Sequence, residues 1–192
     1  MGVVTVEDDS PFALLSQSDD WTVDDLAKLP DDGLRYELFD GVLVVSPAPL
    51  APHQRAVQAM YRLLYAACPP VMEVFVAPLD YQPTRKRSFQ PDVLVVRRAD
   101  VSETTPLRKP LVLAVEVLSD STRSSDQIFK RAMYASSKVP LFWIFDPKVP
   151  RLHIFELQGK EYVEVASPIG QDRLALDAPF PVTVCASEIA AG

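Results

Sequence analysis

The sequence predicts an α/β fold in which helices pack against a mixed β-sheet. Two short apolar runs, Val93–Val96 and Leu111–Val115, are rich in aliphatic residues and are bounded by proline or charge. Such runs are typical of strands that are buried on both faces. Helical patterns at residues 53–67 and 124–136 separate three groups of predicted strands. The order of strands, helix, strands, helix and strands indicates one α/β sandwich.

The composition favours a single globular domain. The chain has 192 residues, of which 48% are hydrophobic, and it contains no apolar run near the roughly 20 residues that a membrane helix needs. Residues 1–20 are acidic and polar without a secretory pattern, so we expect a disordered lead followed by one domain over residues 21–192. Cys68 and Cys185 lack metal-ligand spacing, which favours reduced thiols and a cytoplasmic location.

Local patterns place the first elements. Thr22 has the position of an N-cap for a short helix that ends before Pro30, and residues 36–45 predict a hairpin that turns at Asp40-Gly41. Apolar residues at helical spacing then predict an amphipathic helix over residues 53–67.

The later elements follow from similar signals. Ser124 and Gln127 have capping-box spacing, so a second helix should run from there to about Ser136. The Pro-interrupted C-terminal remainder is expected to edge the sheet. The other predicted features are a strand at 71–79, a basic loop at 85–87, a strand at 140–145 and a hairpin of strands 151–157 and 162–166.

Two carboxylates mark the ends of the buried strands. Asp92 precedes the first strand and Glu116 ends the second. Buried carboxylates are costly unless paired, and a divalent cation commonly relieves the repulsion between two of them. Alternatively, Asp92 caps a turn and Glu116 pairs with an arginine. As co-ligands of one cation, the two carboxylates should share a face within about 5–6 Å and should not each be locked in an arginine pair.

The second helix offers a candidate catalytic cation. Asp126, Lys130 and Tyr134 share one helix face by i, i+4 spacing. Lys130 is either half of a surface ion pair with Asp126 or an ammonium that reaches the carboxylates. Glu37 is either a solvated strand residue or a third carboxylate of the site. His53, at a helix start, suits a cap or a surface position better than a ligand.

Charge and motifs narrow the function classes. The net charge of −7 weighs against a general nucleic-acid binder, yet residues 84–131 carry a local +4, and we expect this patch to lie beside the carboxylates with the acidic remainder facing away. The sequence contains no P-loop, GxGxxG or CxxC motif and only six glycines, which argues against most nucleotide-dependent enzymes.

The ordered set of motifs resembles the Uma-two family over about residues 22–165. Members are restriction-endonuclease-like proteins of the PD-(D/E)XK superfold, widespread in bacteria. The resemblance implies a mixed central sheet flanked by helices with extra β-hairpins, and Asp92 and Glu116 as Mg²⁺ ligands. Leu118 stands at the position where the superfold usually has a lysine. The resemblance implies that the family's lysine is Lys130 and that the glutamate of its first hairpin is Glu37. The motifs are Tyr36–Gly41, His53 at a helix start, Gln90–Val96, Leu113–Ser119, Asp126 with Lys130 and Tyr134, and Val139–Pro147.

The leading hypothesis is a metal-dependent endonuclease that hydrolyses nucleic-acid phosphodiester bonds, with DNA favoured over RNA. Mg²⁺, or Mn²⁺, would be held by Asp92 and Glu116, while Lys130 and Glu37 complete the catalytic set. Two alternatives stay open: a catalytically silent binding or regulatory module, and a hydrolase of a smaller phosphate ester. Trp143 and Phe145 suit either a homodimer interface or the core. The candidate substrate contacts are Arg85, Lys86, Arg87, Arg123, Tyr134 and His53.

Overall fold

The computed structural model describes residues 13–14, 20–119 and 126–192. Most of the expected disordered lead lies outside these residues. The strands are β1 Ala13–Leu14, β2 Arg35–Phe39, β3 Val42–Ser46, β4 Met72–Val76, β5 Tyr81–Thr84, β6 Arg87–Phe89, β7 Val93–Arg97, β8 Leu113–Val117, β9 Leu141–Asp146, β10 Arg151–Gln158, β11 Glu161–Ala166, β12 Arg173–Leu176 and β13 Val182–Cys185. The helices are α1 Val23–Leu26, α2 Ala51–Ala67, α3 Asp126–Ser136 and α4 Ala186–Ala191.

A six-stranded mixed sheet forms the centre of the fold, in the order β11-β10-β9-β8-β7-β4. Strands β8 and β9 are parallel and are connected through α3, whereas the other neighbours are antiparallel. The predicted mixed α/β fold is therefore confirmed. The two carboxylate strands, β7 and β8, are direct neighbours in this sheet.

A second sheet carries the predicted N-terminal hairpin. Its order is β1-β3-β2-β6-β5. Asp40 and Gly41 turn the hairpin with φ angles of 50° and 91°, a conformation that glycine adopts without strain and that aspartate tolerates. The predicted basic loop is instead the turn of a further hairpin, β5–β6. Its strand β5 lies at the sheet edge. Pro83 is tolerated there, because an edge strand does not need every backbone N–H for hydrogen bonds to a neighbouring strand.

Apolar clusters cover both faces of the central sheet. On one face, Met60 and Leu64 of α2 belong to the same buried cluster as Val93 and Val115. On the other face, Tyr134 of α3 packs with residues of β2, β6 and β9. Alternation along each strand therefore sends odd-numbered side chains of β7 and β8 toward α2 and even-numbered ones, including Glu116, toward α3.

The structure corrects two details of the predicted architecture and decides a third that the sequence left open. Helix α2 begins at Ala51 because Pro52 is tolerated in a first turn. The C-terminal remainder does not edge the central sheet, since β12 and β13 form their own two-stranded sheet, and Val184 of β13 is buried in the α2 cluster. Trp143 and Phe145 are fully buried, so core packing accounts for both.

A membrane-spanning helix is not found among the described residues, because none of their helices is both long enough and apolar enough.

Candidate active site

Asp92 and Glu116 meet on one face of the central sheet. The β7–β8 register pairs Val93 with Val115, so its continuation sets Asp92 opposite Glu116, a position from which side chains project to the same face. The amide nitrogen of Val117 donates to Asp92 Oδ2 at 2.8 Å, which fixes the Asp92 carboxylate against the end of β8. Asp92 and Glu116 are 4% and 8% exposed, respectively. The predicted shared face is therefore present.

Glu37 brings a third carboxylate to the same place from the hairpin sheet. It is 2% exposed, so it is not the solvated strand residue of the alternative interpretation. Its Oε1 accepts a hydrogen bond at 2.9 Å from the backbone amide nitrogen of Gln90, which lies two positions before Asp92 in the chain. This bond ties β2 to the turn that leads into β7. Tertiary contact, rather than strand alternation, thus explains why Glu37 is buried.

Lys130 and Tyr134 of α3 both contact Glu116. Lys130 Nζ donates to Glu116 Oε2 at 3.0 Å and lies 3.5 Å from Glu37 Oε2. Tyr134 Oη donates to Glu116 Oε1 at 2.7 Å. The i, i+4 spacing thus aims both side chains at one carboxylate, as one face of a helix allows. Tyr134 is 1% exposed, and its hydroxyl holds Glu116 in this structure; its direct contact with substrate stays a prediction.

Two further basic side chains contact Asp92. Arg35 Nη1 lies 3.2 Å from Asp92 Oδ1, and its Nη2 donates to Glu37 Oε1 at 3.3 Å and to the Gln90 carbonyl. His53 Nε2 lies 3.1 Å from Asp92 Oδ2, with the His53 side chain only 10% exposed. His53 is therefore neither a surface residue nor a simple helix cap.

Sequence reasoning missed Arg35 altogether, although one signal was available. Arg35 directly precedes the predicted hairpin and lies two positions before Glu37, so an extended strand that reached it would set both side chains on the same face, as β2 does. The contact of Arg35 with Asp92, by contrast, spans 57 positions and has no local signature. Arg123 lies outside the described residues, as does the predicted helix start at Ser124.

Burial and neighbouring charges move the pKa values of Asp92 and Glu116 in opposite directions. Burial raises the pKa of Asp92, but its hydrogen bond with His53 and the charge of Arg35 outweigh burial and lower it overall. Burial raises the pKa of Glu116 to about 7, against the lowering effect of Lys130. Burial lowers the pKa of His53, but Asp92 outweighs this and raises it overall. Of the two carboxylates, Asp92 is therefore the more firmly charged near neutral pH.

The donor chemistry of this cluster fits Mg²⁺, which prefers hard oxygen ligands and retains several waters. An arginine pair on each carboxylate would have contradicted a shared cation. Among the described residues, Asp92 has such a pair with Arg35, whereas Glu116 contacts Lys130. In the described part of the chain, no three His, Cys, Asp or Glu side chains stand ready-made as a metal site. A cation would therefore have to take carboxylate oxygens that basic side chains and Tyr134 contact in this structure.

The basic β5–β6 hairpin is paired with acidic residues rather than presenting unopposed charge. Arg85 and Lys86, with side chains 74% and 50% exposed, each lie 2.5 Å from an aspartate of the segment before or within α1. Arg87 forms two hydrogen bonds with the Asp40 carboxylate and is only 14% exposed. The expectation that the acidic remainder faces away from this patch is therefore wrong here. The partners of Arg85 and Lys86 are Asp24 and Asp20.

Comparison with known proteins identifies the family. A family model described as "putative restriction endonuclease" matches residues 23–188. A crystal structure of a putative nuclease from Anabaena variabilis has a similar fold, with a TM-score of 0.68 and 16% sequence identity, and the match covers 88% of this chain and 97% of that one. No curated protein matches the chain. Because the family model spans most of the sequence, the chain belongs to the Uma2 family, as its motifs predicted.

Proposed function

We propose that this protein is a divalent-metal-dependent endonuclease that hydrolyses nucleic-acid phosphodiester bonds, with DNA favoured over RNA. Membership of a family described as restriction endonucleases and the likeness in fold to a nuclease support the general class. The observation that carries the finer proposal is the position of Asp92 opposite Glu116, which continues the β7–β8 register, with Lys130 in contact with Glu116.

Asp92 and Glu116 would hold Mg²⁺ or Mn²⁺. When bound, such a cation offsets negative charge on phosphoryl oxygens and makes water a better nucleophile. The chain itself fixes Asp92 through the Val117 amide, which leaves the Asp92 carboxylate little freedom to rotate. A rigidly held carboxylate binds a cation without losing further side-chain entropy.

Lys130 supplies a positive charge at the side of the site formed by α3. Its ammonium bridges Glu116 and Glu37, which keeps both carboxylates at a defined separation from each other. From this position an ammonium stabilises negative charge that develops at a neighbouring phosphoryl oxygen. Lys130 thereby takes the role of the lysine that the superfold usually places at the position of Leu118.

Tyr134 and His53 act as positioning residues. Tyr134 donates to one Glu116 oxygen, and His53 lies beside one Asp92 oxygen, so each limits which oxygen faces the centre of the cluster. Arg85 and Lys86, as the most exposed cations of the basic hairpin, are the candidates for contact with the phosphate backbone. Backbone contacts of this kind position a duplex without reading its sequence.

A second candidate function is a catalytically silent binding module on the same fold. One observation favours it: the oxygens of Asp92 and Glu116 already have partners on the chain, including Arg35 and Lys130. Basic partners on the chain offset part of the carboxylate charge that a metal would otherwise offset. Fold alone does not decide between an active and a silent member of a family.

A cleavage assay separates these candidates. Labelled duplex and single-stranded DNA and RNA are incubated with the wild type in Mg²⁺, Mn²⁺ or a chelator. We expect metal-dependent cleavage by the wild type, and at least a ~100-fold slower rate for Asp92→Asn. Asp146→Asn is the matched control, because Asp146 is another buried aspartate at a strand end, and its Oδ1 accepts hydrogen bonds from the turn after β9. Binding without cleavage in every metal would support the silent module.

A further inference from the structure

Arg35 occupies a distinctive position in the carboxylate cluster. Its guanidinium contacts Asp92, Glu37 and the Gln90 carbonyl, and so it bridges the hairpin sheet to the start of β7. Glu37 and Asp92 raise the pKa of Arg35 more than burial lowers it, so the group keeps its charge throughout. Arg35 is therefore the main permanent cation beside Asp92.

The charges of the cluster leave little room for a further cation. Among the described residues, Glu37, Asp92 and Glu116 bring three negative charges when ionised. Arg35 and Lys130 bring two positive ones, and His53 beside Asp92 adds a third when protonated. A divalent cation added to this set creates a net positive charge in a largely buried place, which is unfavourable. One of the two chain cations must therefore move away, or the divalent cation binds weakly.

Arg35 is better placed to move than Lys130. The Arg35 side chain is 20% exposed, whereas that of Lys130 is 7% exposed. Arg35 also contacts Oδ1 of Asp92, while Oδ2 is engaged by the Val117 amide and by His53. A cation that approaches Asp92 from solvent therefore meets the guanidinium of Arg35 at Oδ1.

We propose that Arg35 is the counter-ion of Asp92 and Glu37 in the metal-free protein, and that it competes with a divalent cation for Asp92. The inference rests on the proposed metal-dependent function and deepens it, because it names the residue that sets the metal affinity. When the cation displaces Arg35 from Asp92, the guanidinium still contacts Glu37 and the Gln90 carbonyl. It then lies beside the site as a forked donor suited to a phosphate oxygen.

Thermal unfolding with titrated divalent cation tests this inference without measuring activity. Mg²⁺, Mn²⁺ and Ca²⁺ are titrated into wild type, Arg35→Gln and Arg35→Lys at constant ionic strength. Without metal, Arg35→Gln should melt below the wild type, because Asp92 and Glu37 lose their counter-ion. With metal, its gain in Tm should exceed that of the wild type, and its apparent Kd should be on the order of tenfold tighter.

Two further variants sharpen the test. Arg35→Lys keeps one positive charge but lacks the fork that spans both carboxylates, so its metal affinity should lie between the other two. Arg98→Gln is the control: it removes an arginine charge that is paired with Glu73 outside the cluster, and it should respond to metal as the wild type does. If Arg35→Gln is unfolded without metal, Ca²⁺ should restore its native circular dichroism spectrum.

The outcomes distinguish this inference from the proposed function. Wild type and Arg35→Gln responding to metal with equal affinity would overturn the competition and leave the metal-dependent function standing. A weaker response in Arg35→Gln would likewise overturn it and make Arg35 a supporting residue of the metal site. An absence of any metal response in both proteins would overturn the inference and would remove the proposed metal site as well. If Arg35→Gln is unfolded, failure of Ca²⁺ to restore its fold, together with a wild-type metal response of Arg35→Lys, would also overturn the inference.

Discussion

Replacing Lys130 by methionine should destabilise the protein far more than the loss of an ordinary lysine. Lys130 Nζ lies 3.0 Å from Glu116 and 3.5 Å from Glu37, in a side chain that is only 7% exposed. Removing one partner of a buried pair leaves an uncompensated charge and typically costs ~3–5 kcal/mol. Methionine retains the aliphatic packing, so we expect a loss of about 3 kcal/mol or more in the free energy of unfolding near pH 8.

Urea denaturation in the presence of a chelator measures this loss, and two variants calibrate it. Lys28→Met removes a lysine from a solvent-exposed pair with Asp25, in which the two side chains are 73% and 40% exposed, and it should leave the unfolding midpoint almost unchanged. The double variant Lys130→Met with Glu116→Gln should recover part of the loss, because it removes the stranded carboxylate together with its partner. A loss below about 1 kcal/mol for Lys130→Met would refute the view that Lys130 neutralises a buried cluster.

The loss should also depend on pH in a defined direction. Burial raises the pKa of Glu116 to about 7, above its ordinary value of 4.5, so protonation of Glu116 favours the folded state. That contribution is fully present below about pH 4.5 and disappears as the pH rises through 7. Without Lys130 the pKa should rise further, so the deficit should be smaller at pH 5.5 than at pH 8. Among the described residues, the charged and titratable groups around Glu116 are Lys130, Tyr134, Asp92, Arg35, Glu37 and His53.

Two other predictions concern the contacts of Glu116 and the basic hairpin. Tyr134→Phe removes the hydroxyl that donates to Glu116 and should cost ~1–3 kcal/mol by urea denaturation, with the fold retained by near-UV circular dichroism; an unchanged midpoint would contradict the bond. Replacing Arg85 and Lys86 together with Ser should lower the salt slope of DNA binding by no more than ~2, measured by gel shift in Ca²⁺, because at most two phosphate contacts are lost. A slope that does not change would exclude this hairpin from the interface.

Local sequence patterns were sufficient for most of the fold. The Asp40-Gly41 turn, the amphipathic α2 and the two buried carboxylate strands each have a signal within a few residues, because turn conformation and burial periodicity are local properties. The β5–β6 hairpin was missed because Pro83 and the charges at 85–87 read as a loop. The separate β12–β13 sheet was missed because the local sequence of a short strand does not determine which surface of the protein the strand covers.

In the candidate site, too, the features with a local sequence signal were predicted and the long-range contacts were not. The spacing of Lys130 and Tyr134 predicted that both would face one target, and strand position marked Asp92 and Glu116. The contacts of Arg35 and His53 with Asp92 join residues 57 and 39 positions apart. Such pairings depend on how two sheets and a helix end come together, which no local pattern encodes. The aspartate partners of the basic hairpin were missed for the same reason.

Calorimetric titration of Mg²⁺ and Mn²⁺ into the wild type, Asp92→Asn and Asp146→Asn tests most directly whether the carboxylate pair holds a divalent cation. We expect the wild type and Asp146→Asn to bind the metal with similar affinity. Asp92→Asn should bind it at least ~10-fold more weakly, because an amide oxygen replaces a charged ligand. Equal binding by Asp92→Asn, or no binding by the folded wild type, would contradict a metal centre at Asp92 and Glu116.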